Sequence, residues 1–174
     1  MTEESSPLVG ILMGSDSDWP KIKAVTVALD QFGVPYEAAV MSAHRTPEAV
    51  ARYAISAGGR GLKVIIAAAG GAAHLAGVLA SHTTLPVIAI PVPTDMMGGL
   101  DSLLSVVQMP GDVPVAAVGT GKGAARNAGL LAVQILALSN PQLHGKLVEF
   151  KRDLVDKVTA RNAALQAAIR GEPR

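Results

Sequence analysis

A mainly parallel α/β sheet, covered by helices on both faces, is the fold class that this sequence predicts. Short apolar runs at 8–13, 36–41, 64–69, 86–90 and 115–118 alternate with stretches of helical patterning, the order of elements that builds such sheets. Several of the runs are continuously apolar rather than alternating, as strands buried on both faces are. The chain has 174 residues, 49% of them apolar and 17% charged. That composition excludes disorder and suits one domain, 1–174, with a sizeable core.

Each element has a local reason. Residues 8–13 (LVGILM) form the first strand, broken by 14–18. Pro20 at a first helical position, behind Ser17 and Asp18 as caps, opens a helix carried by Ile22, Val25, Leu29 and Phe32, and Gly33 ends it. After the second strand, 36–41, a polar turn leads to Thr46-Pro47-Glu48, the start of a helix that runs to about 57, before Gly58-Gly59. The third strand, 64–69 (VIIAAA), turns at Gly70-Gly71 into a small-residue helix, 72–81. The fourth strand, 86–90, is followed by a Pro/Met/Gly loop at 91–99, a short helix at 100–107 and the fifth strand, 115–118. An Ala/Leu-rich helix at 124–138 and, beyond Asn140-Pro141, a charged amphipathic helix at about 142–169 complete the chain; 1–7 is a flexible, polar N-terminus.

Composition narrows the function. Fifteen basic and 14 acidic residues leave a net charge of +1, so no basic field attracts nucleic acid. With no cysteine there is no disulfide, thiolate nucleophile or sulfur-ligated metal. His44, His74, His82 and His144 show no metal-ligand spacing, so no metal is expected. The longest apolar run, 64–69, is far below the roughly 20 residues that span a bilayer, and 1–7 lacks the features of a signal peptide. The expectation is a cytoplasmic protein with no membrane or nucleic-acid partner. A charged fraction below the roughly 25% usual for soluble domains suggests self-association.

In open parallel sheets, ligands bind beyond the carboxyl ends of the strands, where the strand order switches. The turns after the first three strands, 14–18, 42–45 and 70–74, should therefore meet at one rim. Gly14-Ser15-Asp16-Ser17-Asp18 offers small residues and hydroxyls before a helix, which suits an anion, and Asp18 suits ribose hydroxyls; the same residues also serve as ordinary caps. In Ser42-Ala43-His44-Arg45, Arg45 can grip phosphate with Ser42 as a further donor, and His44 can exchange a proton near neutrality. A loop histidine bonded to a backbone carbonyl, with Arg45 at the surface, is the competing description. Ala69-Gly70-Gly71-Ala72-Ala73-His74-Leu75 is flat enough for a planar ring or a carboxylate against main-chain N–H groups, or simply for tight strand–helix packing. His74 reads as a supporting residue. Gly119-Thr-Gly-Lys-Gly-Ala124 fails as a phosphate loop, because Gly123 stands where Ser or Thr is required.

These turns, in order, resemble the N5-carboxyaminoimidazole ribonucleotide mutase family of bacterial purine biosynthesis. The carrying motifs are Met13-Gly-Ser-Asp-Ser-Asp-Trp19, Ser42-Ala-His-Arg-Thr-Pro47, Ala69-Gly-Gly-Ala-Ala-His-Leu75, Gly99-Leu-Asp-Ser-Leu-Leu-Ser105 and Val107-Gln-Met-Pro110, spread over about 8–138. The resemblance implies a three-layer α/β/α sandwich with a parallel five-stranded, flavodoxin-like sheet, assembled as a homo-octamer. It implies an isomerase that moves a carboxylate from the exocyclic amine of the imidazole ribonucleotide to ring carbon C4, without a cofactor. His44 matches the acid/base histidine. Ser15, Ser17, Asp18, Ser42 and Arg45 match the nucleotide contacts, with phosphate at Ser17, Ser42 and Arg45 and ribose at Asp18. Ala69, Gly70, Gly71, Ala72, His74 and Leu75 would cradle the ring and the migrating carboxylate. The loop 93–98 (PTDMMG), expected over the pocket, departs from the family pattern with its two methionines, as do 119–123 and Arg126. The alternatives are a carboxylase that uses free CO2 and a non-catalytic flavin- or nucleotide-binding module.

Overall fold

The computed structural model describes residues 6–171; residues 1–5 of the N-terminus expected to be flexible lie outside the described residues. Five strands, β1 (Val9–Met13), β2 (Tyr36–Val40), β3 (Val64–Gly70), β4 (Val87–Val92) and β5 (Ala116–Ala117), pair in the order β2-β1-β3-β4-β5. Every pairing is parallel. This order is that of the flavodoxin-like doubly wound sheet, and its switch point lies between β1 and β3.

Helices α1 (Trp19–Ile22), α2 (Ala24–Phe32), α3 (Pro47–Ala57), α4 (Leu75–His82), α5 (Leu100–Val107), α6 (Ala124–Ala137) and α7 (Pro141–Ile169) provide the connections and the C-terminal segment. The chain divides into two compact units between Ile135 and Leu136. The first holds the sheet. Across it, Leu12 aligns with Ala67 and Ala67 with Ala89. That row is buried in one cluster with Val50 and Ala54 of α3, Leu75 and Leu79 of α4 and Val106 of α5. The neighbouring row, Ile11, Ile66 and Ile88, is also fully buried, and strand alternation turns it toward the opposite face. Burying each isoleucine side chain contributes about 1.5–3 kcal/mol. Among the other helices, α2 and α6 approach at backbone distance: a Cβ at Gly129 would lie 2.8 Å from Ala28 Cβ and 2.8 Å from the Val25 carbonyl oxygen.

The departures from the expected elements have local causes. As an edge strand, β2 is half-buried to exposed rather than fully buried like β1. The cap after β1 is Ser15, whose Oγ accepts from Ser17 N–H at 3.3 Å, while Asp18 makes no side-chain cap. The helix beyond Pro20 is interrupted at Lys23, which separates α1 from α2. Gly33 ends α2 in the left-handed region at φ 70°, where glycine has no Cβ penalty. The helix expected from 72 starts instead at Leu75, because tight bonds from Ala73 N–H to the Gly71 carbonyl and from His74 N–H to the Ala72 carbonyl occupy the intervening turn.

The second unit carries α7, opened by Asn140, whose Oδ1 accepts from the N–H groups of Gln142 and Leu143 at 3.1 Å each, with Pro141 in the first turn. Such a cap contributes about 1 kcal/mol. Among the described residues, no helix is long and apolar enough to cross a membrane.

Candidate active site

The turns after β1, β2 and β3 come together at the carboxyl rim and line a cavity of about 420 Å³. In the first turn, Ser15 Oγ lies 2.8 Å from Ser17 Oγ, and Asp18 N–H closes a short turn on the Ser15 carbonyl. Burial is the largest influence on the Asp18 carboxyl and pushes it above the usual range, opposed by the charge of Lys21 and by a backbone hydrogen bond from Ser15.

The second turn is closed by its own side chains. Thr46 Oγ1 accepts from Ser42 N–H at 2.9 Å and donates to the Ser42 carbonyl at 3.0 Å. Ser42 Oγ accepts from Arg45 N–H at 3.2 Å and from Arg45 Nε at 3.4 Å. Arg45 Nη2 then crosses to the Gly14 carbonyl at 2.9 Å, tying this turn to the first. His44 and Arg45 are both exposed and face the cavity.

The third turn rests on α5. Gly71 takes φ +64°, a conformation that costs a residue with a Cβ about 1–2 kcal/mol. Its N–H donates to Ser102 Oγ at 2.8 Å, and its carbonyl accepts from Ser105 Oγ at 3.0 Å. Ser102, fully buried, donates in turn to the Val92 carbonyl at 2.7 Å. A Cβ at Gly70 would crowd that carbonyl at 3.2 Å. Nearby, Thr94 Oγ1 donates to Asp101 Oδ1 at 2.6 Å and holds that carboxyl below the usual range.

Of the residues read from the sequence, Ser15, Asp18, Ser42, His44, Arg45, Ala69, Gly70, Ala72 and Leu75 line the cavity together. Ser17, Gly71 and His74 are not part of that lining. Ser17 is bonded to Ser15, Gly71 faces its serine supports, and His74 Nδ1 lies 2.9 Å from His44 Nε2. Gly14 and Ala43 join the lining, contributed by backbone position rather than by chemistry a sequence displays. Ser102 and Ser105 were not singled out as supports, although two serines three residues apart share one face of a helix. None of residues 93–98 is among the residues that line the cavity, over which the loop was expected: Met96 and Met97 are exposed to solvent, and Thr94 lies against Gly70.

A flavodoxin-like sheet with an imidazole, a guanidinium and a carboxylate around one rim cavity places the chain in the doubly wound α/β class that carries a small-molecule site beyond its strand ends. The AIR carboxylase family model matches residues 8–157. The chain is 57% identical over 160 residues to the N5-carboxyaminoimidazole ribonucleotide mutase of Mycobacterium tuberculosis, covering 92% of this chain and 91% of that one. It is 58% identical over 143 residues to the enzyme of the same name from Bacillus subtilis, covering 82% and 88%. Among solved structures, Treponema denticola PurE superposes with a TM-score of 0.82 at 30% identity, covering 91% of this chain and 98% of that one. The chain belongs to the AIR carboxylase family.

Proposed function

We propose that this chain moves the carboxylate of 5-(carboxyamino)imidazole ribonucleotide from the exocyclic amine to C4 of the ring, as a step of purine biosynthesis. One observation carries the reading: in a chain more than half identical to named mutases, His44, Arg45 and Asp18 surround a single cavity at the switch point. Arg45 and Ser42, with Ser17 and its bonded neighbour Ser15 across the rim, receive the phosphate. Asp18 accepts from the ribose hydroxyls. The ring lies against Ala69, Gly70 and Ala72.

His44 protonates the carbamate nitrogen, the N–C bond breaks, and carbon dioxide and the neutral aminoimidazole result. C4 then attacks the carbon dioxide, and His44 removes the C4 proton, so the proton given is matched by the proton taken. The gas must stay beside C4, since the advantage of held reactants vanishes once it escapes. Phosphate and ribose contacts supply the binding energy for that orientation. The reading includes a cofactor-independent homo-octamer in the cytoplasm.

An assay with the carbamate ribonucleotide and, separately, with aminoimidazole ribonucleotide plus bicarbonate tests it. Turnover of the first alone is expected. Turnover confined to the second makes the chain a carboxylase, and bound flavin with no turnover makes it a binding module. His44→Asn should lower kcat by about 10²–10⁴ while calorimetry still detects ribonucleotide binding. Arg45→Ala should weaken binding of the phosphorylated substrate by roughly 10–100-fold, as charge-assisted bonds of about 1.5–3 kcal/mol require.

A further inference from the structure

The two imidazoles at the rim come from turns 30 residues apart, yet His44 Nε2 and His74 Nδ1 lie 2.9 Å from each other. The rings stand edge to face, with centroids 5.0 Å apart and planes at 77°. At that separation one nitrogen carries the hydrogen and the other the lone pair, because two lone pairs or two N–H groups facing each other repel.

The proposed reaction decides the direction. An imidazole that alternates between acid and base is an imidazolium in part of its cycle, with hydrogens on both nitrogens. If His74 donated from Nδ1, protonated His44 would present a second N–H to it, and the bond would break once per turnover. With His44 Nε2–H as donor, the bond survives in both states, and only the other nitrogen gains and loses a proton.

We infer that His74 is a positioning residue: its Nδ1 accepts the Nε2–H of His44, fixes that tautomer, and leaves His44 Nδ1 as the atom that exchanges the proton with substrate. The inference rests on the proposed mutase reaction for its catalytic meaning. The ring that reaches the cavity is His44, and His74 stands behind it outside the lining, as a support that never touches the reacting atoms should. Such orienting partners set which nitrogen of a histidine is active. The charged groups around His44 are Arg45 on its own turn and Asp18 from the first turn, both lining the cavity, with Asp101 behind Gly71 on the side of the third turn. The His74 lone pair adds a direct acceptor for the imidazolium's Nε2–H.

Two variants separate the acceptor from the ring. His74→Asn can place Oδ1 near the position of Nδ1 and keep an acceptor, whereas His74→Phe keeps a ring of similar size without one. Long-range 15N–1H NMR of the imidazoles should show His44 in the Nε2–H tautomer in the unaltered protein and in His74→Asn, and a mixture in His74→Phe. In turnover of the carbamate ribonucleotide, His74→Phe should lower kcat about 10–100-fold, the scale of loss when the partner that orients a metal-bound histidine is removed, with KM little changed. The alkaline limb of its kcat profile should move to lower pH, since the imidazolium has lost an acceptor, and His74→Asn should restore most of both. His44 as the Nδ1–H tautomer in the unaltered protein, or a His74→Phe variant with unaltered kcat and pH profile, overturns the inference. Absence of turnover in the unaltered protein would overturn the proposed reaction instead, and the nitrogen shifts would still decide the tautomer.

Discussion

Ser102→Ala removes one oxygen from the interior and disturbs two backbone groups. The hydroxyl accepts from Gly71 N–H at 2.8 Å and donates to the Val92 carbonyl at 2.7 Å, and Ser102 is itself fully buried. Leaving a buried N–H without an acceptor costs about 1–3 kcal/mol, and the lost bond to the carbonyl adds about 0.5–1.5 kcal/mol. The expected loss is about 2–4 kcal/mol, a large fraction of the roughly 5–15 kcal/mol that holds a domain together. Thermal unfolding followed by far-UV circular dichroism should show Tm lowered by about 4–16 °C. Urea unfolding should move the midpoint with m unchanged. Because Ser105 holds the carbonyl of the same residue at 3.0 Å, Ser102→Ala and Ser105→Ala should not be additive. A stability change under about 0.5 kcal/mol, within the range of ordinary surface substitutions, would refute the view that α5 secures the third turn.

Two further perturbations follow from geometry already described. Gly129→Val would drive a β-branched side chain into Val25 and Ala28 of α2; overpacking of this kind costs about 1–3 kcal/mol, readable as a lower urea midpoint, and an unchanged midpoint would contradict the close α2–α6 approach. At Glu37, burial pushes the carboxyl up, but hydrogen bonds from Tyr53 and Arg60, at 2.6 and 2.7 Å, and the charge of Arg60 together hold it below its ordinary value of 4.5. A depressed carboxyl stabilises the fold above its unfolded value and stops doing so as pH falls through the folded one. Glu37→Gln should therefore cost about 1 kcal/mol at neutral pH, with the difference from the unaltered protein shrinking below about pH 4.5; a difference that stays constant down to acid pH would remove Glu37 from this role.

Much of the fold was legible because strand and helix differ in period and because Pro and Gly mark boundaries by steric necessity. Pro47 opening α3 and Gly33 ending α2 are local effects, and they lie where their chemistry puts them. The helix expected at 72 begins at Leu75 because Gly71 bonds to serines on α5, 31 and 34 residues downstream, a constraint no local pattern contains. Gly10 is similar. Nothing in the run LVGILM shows that a Cβ there would overlap the Tyr53 hydroxyl that reaches Glu37. At the rim, the switch-point rule gathered the three turns correctly. It did not separate lining from support for Ser17 and Gly71, which sit in the gathered turns but outside the cavity lining, whereas His74, read as a supporting residue, lies outside it too.

The tether from Arg45 to the Gly14 carbonyl has a thermodynamic corollary. A long cation normally surrenders several rotamers when it seizes an anion, weakening capture by about 0.5–1.5 kcal/mol. Here one end of the guanidinium is docked on the neighbouring loop at 2.9 Å while Nε approaches Ser42 at 3.4 Å. The freedom is therefore forfeited when the polypeptide folds, and the phosphate that the proposed function assigns to Arg45 would meet a fork already held in place. Lysine, with a single ammonium in place of the planar fork, could not span Gly14 and Ser42 and still offer a second pair of donors.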